Sequence, residues 1–308
     1  MSNYYLSRLD DPKYHAAFWN AVRNKPESLR EMGCVLDETP LPSVSFTKMK
    51  TALTENSLFR RIATVMQAHG SQYNIMAKDQ DDMAAWIPEN GEFPIYDGLN
   101  DFTIHPVDRF KLGVFFKLDN AFIGDASFSI EDYLIGRLAK NFGEAETAAF
   151  ISGAGPESGM PTGILADEGG AQVGVTTAAI TYDDVIKLYF SVKPEYREKG
   201  VWLMNDETAY TLRTLKDADG NYLWNSNNDT ILGKRVMITR HMPGAVSGDK
   251  PIAFGDFSYY WVVSRKTANI RTVSEAFIHS EQTGYLAYEF LDGKLIRPEA
   301  IKVLQMST

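Results

Sequence analysis

Residues 129–152 read SIEDYLIGRLAKNFGEAETAAFIS, and residues 153–165 continue GAGPESGMPTGIL. Ile130, Tyr133, Leu134, Leu138, Phe142, Ala145 and Ala149 recur at steps of three and four. Glu131, Asp132, Arg137, Lys140, Glu144 and Glu146 mostly occupy the other faces, which is the pattern of an amphipathic helix with one buried stripe. Ser129 is placed to cap the free amides of the first turn, and Glu131 and Asp132 sit where the helix dipole favours carboxylates. Such a helix is roughly 36 Å long, enough to cross a domain. Gly153 and Gly155 end it. Phosphate-binding loops put their glycines ahead of a helix. Glycines that follow one mark the exit of a structural spine.

Outward from this helix, the 308 residues are 44% hydrophobic, enough to bury a sizeable core in one large domain or two interleaved ones. The net charge of -9 argues against a protein that grips nucleic-acid phosphates over a broad basic face. Cys34 is the only cysteine, so no internal disulfide forms, and the chain fits a reducing compartment. The first ten residues lack the basic-then-apolar pattern of a signal peptide, and no run approaches the ~18 apolar residues of a membrane span. The expectation is a soluble protein without a membrane partner.

Residues 1–65 read as an arm. It has helical stretches at 15–22 and 49–65, separated by a Pro-rich linker at 39–45 where Pro40 and Pro42 break any continuous helix. The arm carries too few apolar residues for a core of its own, so it packs on this subunit or the next. Tyr73, Ile75 and Ala77 alternate, as do Phe110, Leu112, Val114, Phe116 and Leu118, and the two runs are expected to pair as a β-hairpin. Between them, residues 79–108 hold eight carboxylates and no Lys or Arg, together with Trp86, Phe93 and Tyr96. A connection of that length is expected to meet a partner or to be a solvated surface. Farther on, Thr181 caps a helix bearing Val185, Ile186 and Tyr189, residues 201–204 form a short strand, and Asn205 caps a helix to about Leu215. Residues 215–224 are a tight turn, the chain is strand-rich from Ile231, and Asp292-Gly293 reads as a turn. The alternation predicts a mixed helix and sheet fold.

The five histidines are each more than twenty residues from the next, so no zinc-like spacing exists. Asp217, Asp219 and Asn221 imitate a calcium loop, but glycine falls at the fourth position and Asn228 stands where the bidentate Glu belongs. Ser158 follows Pro156 rather than the glycine of a nucleophile elbow, and Arg235 after Gly233-Lys234 breaks the phosphate-loop pattern. Glu89 and Glu92 could in principle serve as acid and base on a glycan, but no supporting motif accompanies them. No catalytic residue, cofactor or metal is assigned.

Four segments, in order, resemble the major capsid protein of tailed double-stranded DNA bacteriophages, an α+β fold of the Hong Kong 97 type. They are the long helix with its exit through PTGIL at 161–165; LKDADGNYLW at 215–224; ILGKRVMITRHMP at 231–243; and IAFGDF at 252–257. DGKLIRPEA at 292–300, followed by IKVL, is similar too. The likeness covers roughly residues 57–304, with 14–30 like the helical lead-in of some members.

The resemblance implies four parts: an N-terminal arm (1–65), an extended β-hairpin loop (66–118), a peripheral domain (119–175 and 268–292) and an axial domain (176–267 and 293–308). Ile130, Leu134, Leu138 and Phe142 would lie on the spine of the peripheral domain. Trp86, Glu89, Glu92, Phe93 and Tyr96 would meet a neighbouring subunit, and Asp219, Tyr222 and Trp224 would lie on an axial-domain loop. It further implies self-assembly into pentamers and hexamers of an icosahedral or prolate shell around DNA, within the host bacterial cytoplasm. A portal, scaffolding or protease, and decoration proteins would be the other partners. Some members carry a loop lysine that forms an isopeptide bond with a neighbour, but this chain has no lysine between Lys78 and Lys111, so a non-covalent shell is expected. The charged residues 1–35 are too short for the coiled-coil scaffold of many members. An encapsulin-like nanocompartment is the nearest alternative, and a nucleotide- or glycan-acting enzyme is the alternative of another class.

Overall fold

The computed structural model describes residues 9–34, 40–68, 74–78, 102–125, 127–216, 219, 222, 224 and 229–307. The helical elements that open the chain are α1 (Pro12–Val22), α2 (Glu27–Glu31), α3 (Ser43–Asn56) and α4 (Phe59–Ile62). Strands β1 (Thr64–Gln67), β2 (Asn74–Lys78), β3 (Phe102–Pro106) and β4 (Phe110–Asp119) follow. Next come α5 (Asn120–Gly124) and the long helix α6 (Ile130–Ser152).

Helix α6 begins where the sequence places it. The Ser129 hydroxyl donates to Asp132 Oδ2 at 2.7 Å and accepts from the Asp132 N–H at 3.4 Å. Of its stripe, Ile130, Leu134, Leu138 and Phe142 are buried in one cluster with Phe116, Tyr285 and Ala287 of the sheet strands and Phe18, Trp19 and Leu53 of the N-terminal helices, while Tyr133, Ala145 and Ala149 are half-buried. Burying a side chain of this size stabilises by about 1.5–3 kcal/mol. The N-terminal helices therefore cover the spine of their own chain. Trp19 Nε1–H donates to Ser45 Oγ at 3.0 Å, which in turn donates to Glu131 at 2.9 Å. The second helix of the arm differs from expectation. It starts at Ser43, directly after Pro42, and stops at Asn56, because Ser57 is extended and residues 64–67 are drawn into a sheet.

That sheet has four strands in the order β1-β10-β11-β4, where β10 is Tyr260–Val273 and β11 is Gln282–Leu295. β1 runs parallel to β10, and the other neighbours are antiparallel. The expected pairing of residues 110–118 with 73–77 does not form. β4 pairs instead with β11, in the register Phe116↔Tyr285, Val114↔Ala287 and Leu112↔Glu289, while β2 pairs with β3. A two-stranded ribbon could not bury the apolar face of β4, whereas β11 places it beneath the spine helix. Asp292-Gly293 is likewise inside β11 rather than at a turn. The buried Asp292 carboxylate accepts the Asp108 N–H at 2.8 Å, and Gly293 gives room to Tyr260 and Phe150, whose atoms a β-carbon would overlap.

The second sheet has six strands in the order β5-β12-β9-β6-β8-β7: β5 is Gln172–Thr177, β6 Val201–Met204, β7 Thr230–Ile231, β8 Lys234–Ile238, β9 Ile252–Gly255 and β12 Ile301–Met306. Helices α7 (Tyr182–Ser191), α8 (Pro194–Arg197) and α9 (Asp206–Thr214) accompany it. Thr181 and Asp184 form a complete capping box at α7, and Asn205 caps α9 by accepting the Thr208 N–H at 2.7 Å. Val185, Leu188 and Leu212 pack with Trp202, Phe254 and Leu304. A further cluster, including Phe59, Phe150, Ile164, Leu203, Tyr260 and Val303, joins the two sheets around the end of the spine.

Candidate functional site

Where the spine helix ends, four backbone carbonyls need partners. The glycine-rich exit supplies three of them by turning back on the helix. Gly153 N–H donates to Ala149 at 2.8 Å, Ile164 N–H to Phe150 at 2.8 Å and Leu165 N–H to Ile151 at 2.9 Å. So close a return requires glycine. A β-carbon at Gly153 would overlap the carbonyl oxygens of Pro161 and Ala149, and one at Gly163 would lie 2.5 Å from Ile151 O. Tyr260 Oη–H, at the start of β10, donates to the Thr162 carbonyl at 2.8 Å and ties the elbow to the sheet. The glycines thus cap a helix and cradle no phosphate.

Ion pairs fasten the spine along its length. Lys48 of α3 lies 3.2 Å from Glu131. Glu144 lies 2.7 Å from both His241 Nε2 and an Arg240 nitrogen in the loop after β8, and the His241 hydrogen bond, with Arg240, holds its carboxyl below the usual range. Deeper, Arg60 of α4 grips Glu146 through two hydrogen bonds, the Nε one at 2.8 Å. Glu289 of β11 stands 3.7 Å from the same guanidinium and faces Glu146 closely enough for a carboxyl–carboxylate hydrogen bond. Burial, and then the facing Glu146, push the Glu289 carboxyl well above the ordinary glutamate range.

Of the residues expected at subunit contacts, Trp86, Glu89, Glu92, Phe93 and Tyr96 lie outside the described residues. Asp219 is exposed, and Tyr222 is exposed with the Lys216 ammonium 4.8 Å over its ring. Trp224 lies outside helix and strand, as a loop residue does, but is 4% exposed and packed in the core of the six-stranded half beneath Arg213. An indole of that size next to Leu212 and Ile231 is drawn inward by its apolar area. Sequence reasoning passed over Phe190 and Tyr210, which are 65% and 70% exposed on α7 and α9, and Val246 at 63%. Phe190 and Tyr210 fall off the apolar stripes of their helices, which is the signal that finds them; Val246 lies in the loop between β8 and β9. Among the described residues no helix is long and apolar enough to cross a membrane, and no three His, Cys, Asp or Glu side chains gather as a metal site.

A long helix laid on one sheet, capped by a glycine elbow and locked to a second sheet, defines a structural shell subunit of the Hong Kong 97 type. The family model described as the phage capsid family matches residues 41–306, which span both sheets and the spine. The chain belongs to the phage capsid family, and its role is that of a major capsid structural protein. It is similar to the capsid of a native GTA particle, at 27% identity and a TM-score of 0.66, over 84% of this chain and 91% of that one. The capsid of an empty GTA particle gives 26% and 0.65, over 82% and 90%. A chain from Microbacterium phage Oxtober96, at 15% identity, shares the fold with a TM-score of 0.62 over 82% of this chain and 91% of that one. Among curated protein sequences none matches this chain.

Proposed function

We propose that this subunit closes rings of five and six by head-to-tail contacts, and that the rings tile an icosahedral or prolate shell around double-stranded DNA. The observation that carries the reading is the family match across residues 41–306. The GTA capsids to which the chain is similar, both described with C5 symmetry, support the fivefold ring. In this reading the six-stranded half is the axial domain, and the spine with the four-stranded sheet is the peripheral one. β10 and β11 belong to the four-stranded sheet along the whole of their ladder, from Tyr260↔Leu295 to Val273↔Gly284. Residues 66–118 leave β1, reach a neighbour and return as β4.

The function resides in surfaces, and no catalytic step is assigned to the chain. With no lysine between Lys78 and Lys111, the shell is held without covalent cross-links through that loop. Assembly takes place in the host cytoplasm with a portal and a separate scaffold or protease, and decoration proteins bind the finished shell. Light scattering of the purified chain at rising concentration is expected to show large particles that boiling in detergent returns to a single monomer band. A ladder of bands after boiling would overturn the non-covalent reading, and a monomer at every concentration would overturn assembly.

A further inference from the structure

Helices α7 and α9 cover the same face of the six-stranded sheet, through one cluster that holds Val185 and Leu188 of the first and Ala209 and Leu212 of the second. They sit toward opposite edges. α7 packs on β5 and β12, while Arg213 of α9 pairs with Asp229, the residue before β7. β5 and β7 are the outer strands, so at about 4.8 Å per strand spacing the two edges are roughly 24 Å apart. At the β5 edge, Phe190 is 65% exposed. The Arg197 guanidinium, at the end of α8, lies 5.1 Å from the Phe190 ring centre and 5.4 Å from that of Tyr189. Arg197 Nε is buried without a hydrogen-bond partner, and among the described residues no carboxylate lies within ion-pair distance of it. At the β7 edge, Tyr210 is 70% exposed on α9. Asp206 and Glu207 stand one turn earlier on the same helix, which brings them beside that phenol. Both are exposed, and among the described residues neither has a cation within ion-pair distance.

We propose that these two patches meet between copies of this chain: Arg197 of one copy places its guanidinium on the Asp206 and Glu207 carboxylates of the next, and Phe190 lies against Tyr210. The inference deepens the reading of the chain as a self-assembling subunit and rests on it. Pairing each patch with its own kind sets Arg197 against Arg197 and carboxylates against carboxylates, which repel. Only the unlike pairing attracts. Two unlike patches at opposite edges of one subunit make a heterologous contact, the kind that repeats about an axis and closes a ring. A guanidinium takes carboxylates as a fork while its flat face rests on aromatic rings, and Arg and Tyr are the side chains that most often carry the binding energy of such contacts.

The test is assembly, followed by light scattering and electron microscopy, of full-chain variants: Arg197→Glu, the pair Asp206→Lys with Glu207→Lys, and all three substitutions together. Each of the first two sets like charges against each other at every contact and should need about tenfold or more subunit to reach half-assembly. The triple variant restores unlike charges and should return to within about threefold of the parent. An equimolar mixture of the first two variants separates the ring sizes. Alternating copies oppose unlike charges at every contact of a six-membered ring, but five copies cannot alternate, so the mixture should form sixfold rings without closed shells. Tyr210→Ser, at a position too exposed to affect folding, should weaken assembly as well. Variants that assemble like the parent, or a triple variant and a mixture no better than the first two, overturn the inference and leave the capsid reading standing. Failure of the parent chain to form shells overturns both.

Discussion

Replacing Gly163 by alanine tests the elbow most sharply. The new β-carbon would lie 2.5 Å from Gly153 N, 2.5 Å from Ile151 O and 2.7 Å from Ile151 C, all backbone atoms that no rotamer change can move. Relief requires the returning segment to lift from the helix end. That breaks the bonds from Gly163 N–H to Gly153 O at 2.9 Å, from Ile164 N–H to Phe150 O and from Leu165 N–H to Ile151 O. Each is worth about 0.5–1.5 kcal/mol net, so three amount to about 2–4 kcal/mol. The shift also loosens Ile164, which is fully buried, so the expected loss is about 3–5 kcal/mol, large against a total stability of about 5–15 kcal/mol. Urea unfolding of the unassembled subunit measures it. Gly136→Ala is the internal contrast: that glycine sits on the exposed side of the same helix, nothing lies within 4 Å of the added carbon, and a gain of about 0.5–1 kcal/mol is expected. A Gly163→Ala subunit within about 1 kcal/mol of the parent would refute the claim that the exit is a backbone cap.

Arg60→Met leaves buried Glu146 without the cation that grips it and is expected to cost about 3–5 kcal/mol at neutral pH. Urea midpoints of parent and variant check it. Glu289→Gln reverses a slope in the isolated subunit. Because the folded pKa is raised, Glu289's contribution to the parent's stability is fully present below the ordinary glutamate pKa of about 4.3 and is lost as pH climbs toward the folded value, so the variant's stability relative to the parent should rise with pH. A difference that stays flat from acid to neutral would remove the argument for a protonated Glu289. Trp224→Ala should cost about 3–5 kcal/mol and Tyr222→Ala no more than about 0.5 kcal/mol, and thermal melts that rank the two the other way would contradict the core placement of Trp224.

The spine was legible because its signals are local: a cap at Ser129, a stripe at three- and four-residue steps, and glycines after the last turn. The capping box of Thr181 and the cap of Asn205 were legible for the same reason. What the sequence could not show was which strand meets which. The alternation in residues 110–118 announces a strand with one apolar face, but its partner, β11, lies about 170 residues onward, as Phe116↔Tyr285 shows. No local rule singles out that partner, and the nearer alternating run offered itself first. Asp292-Gly293 misled in a related way, since the pair has turn chemistry and is used here to anchor Asp108 and admit Tyr260. The cluster of Arg60, Glu146 and Glu289 was invisible for want of any spacing rule, as its members come from three elements that only the tertiary fold brings together.

Negative-stain electron microscopy of the purified full chain is the most direct test of the central claim. The account predicts closed hollow shells with fivefold and sixfold clusters of subunits on their surface. A field of uniform monomers, under conditions in which the chain is folded, would contradict it.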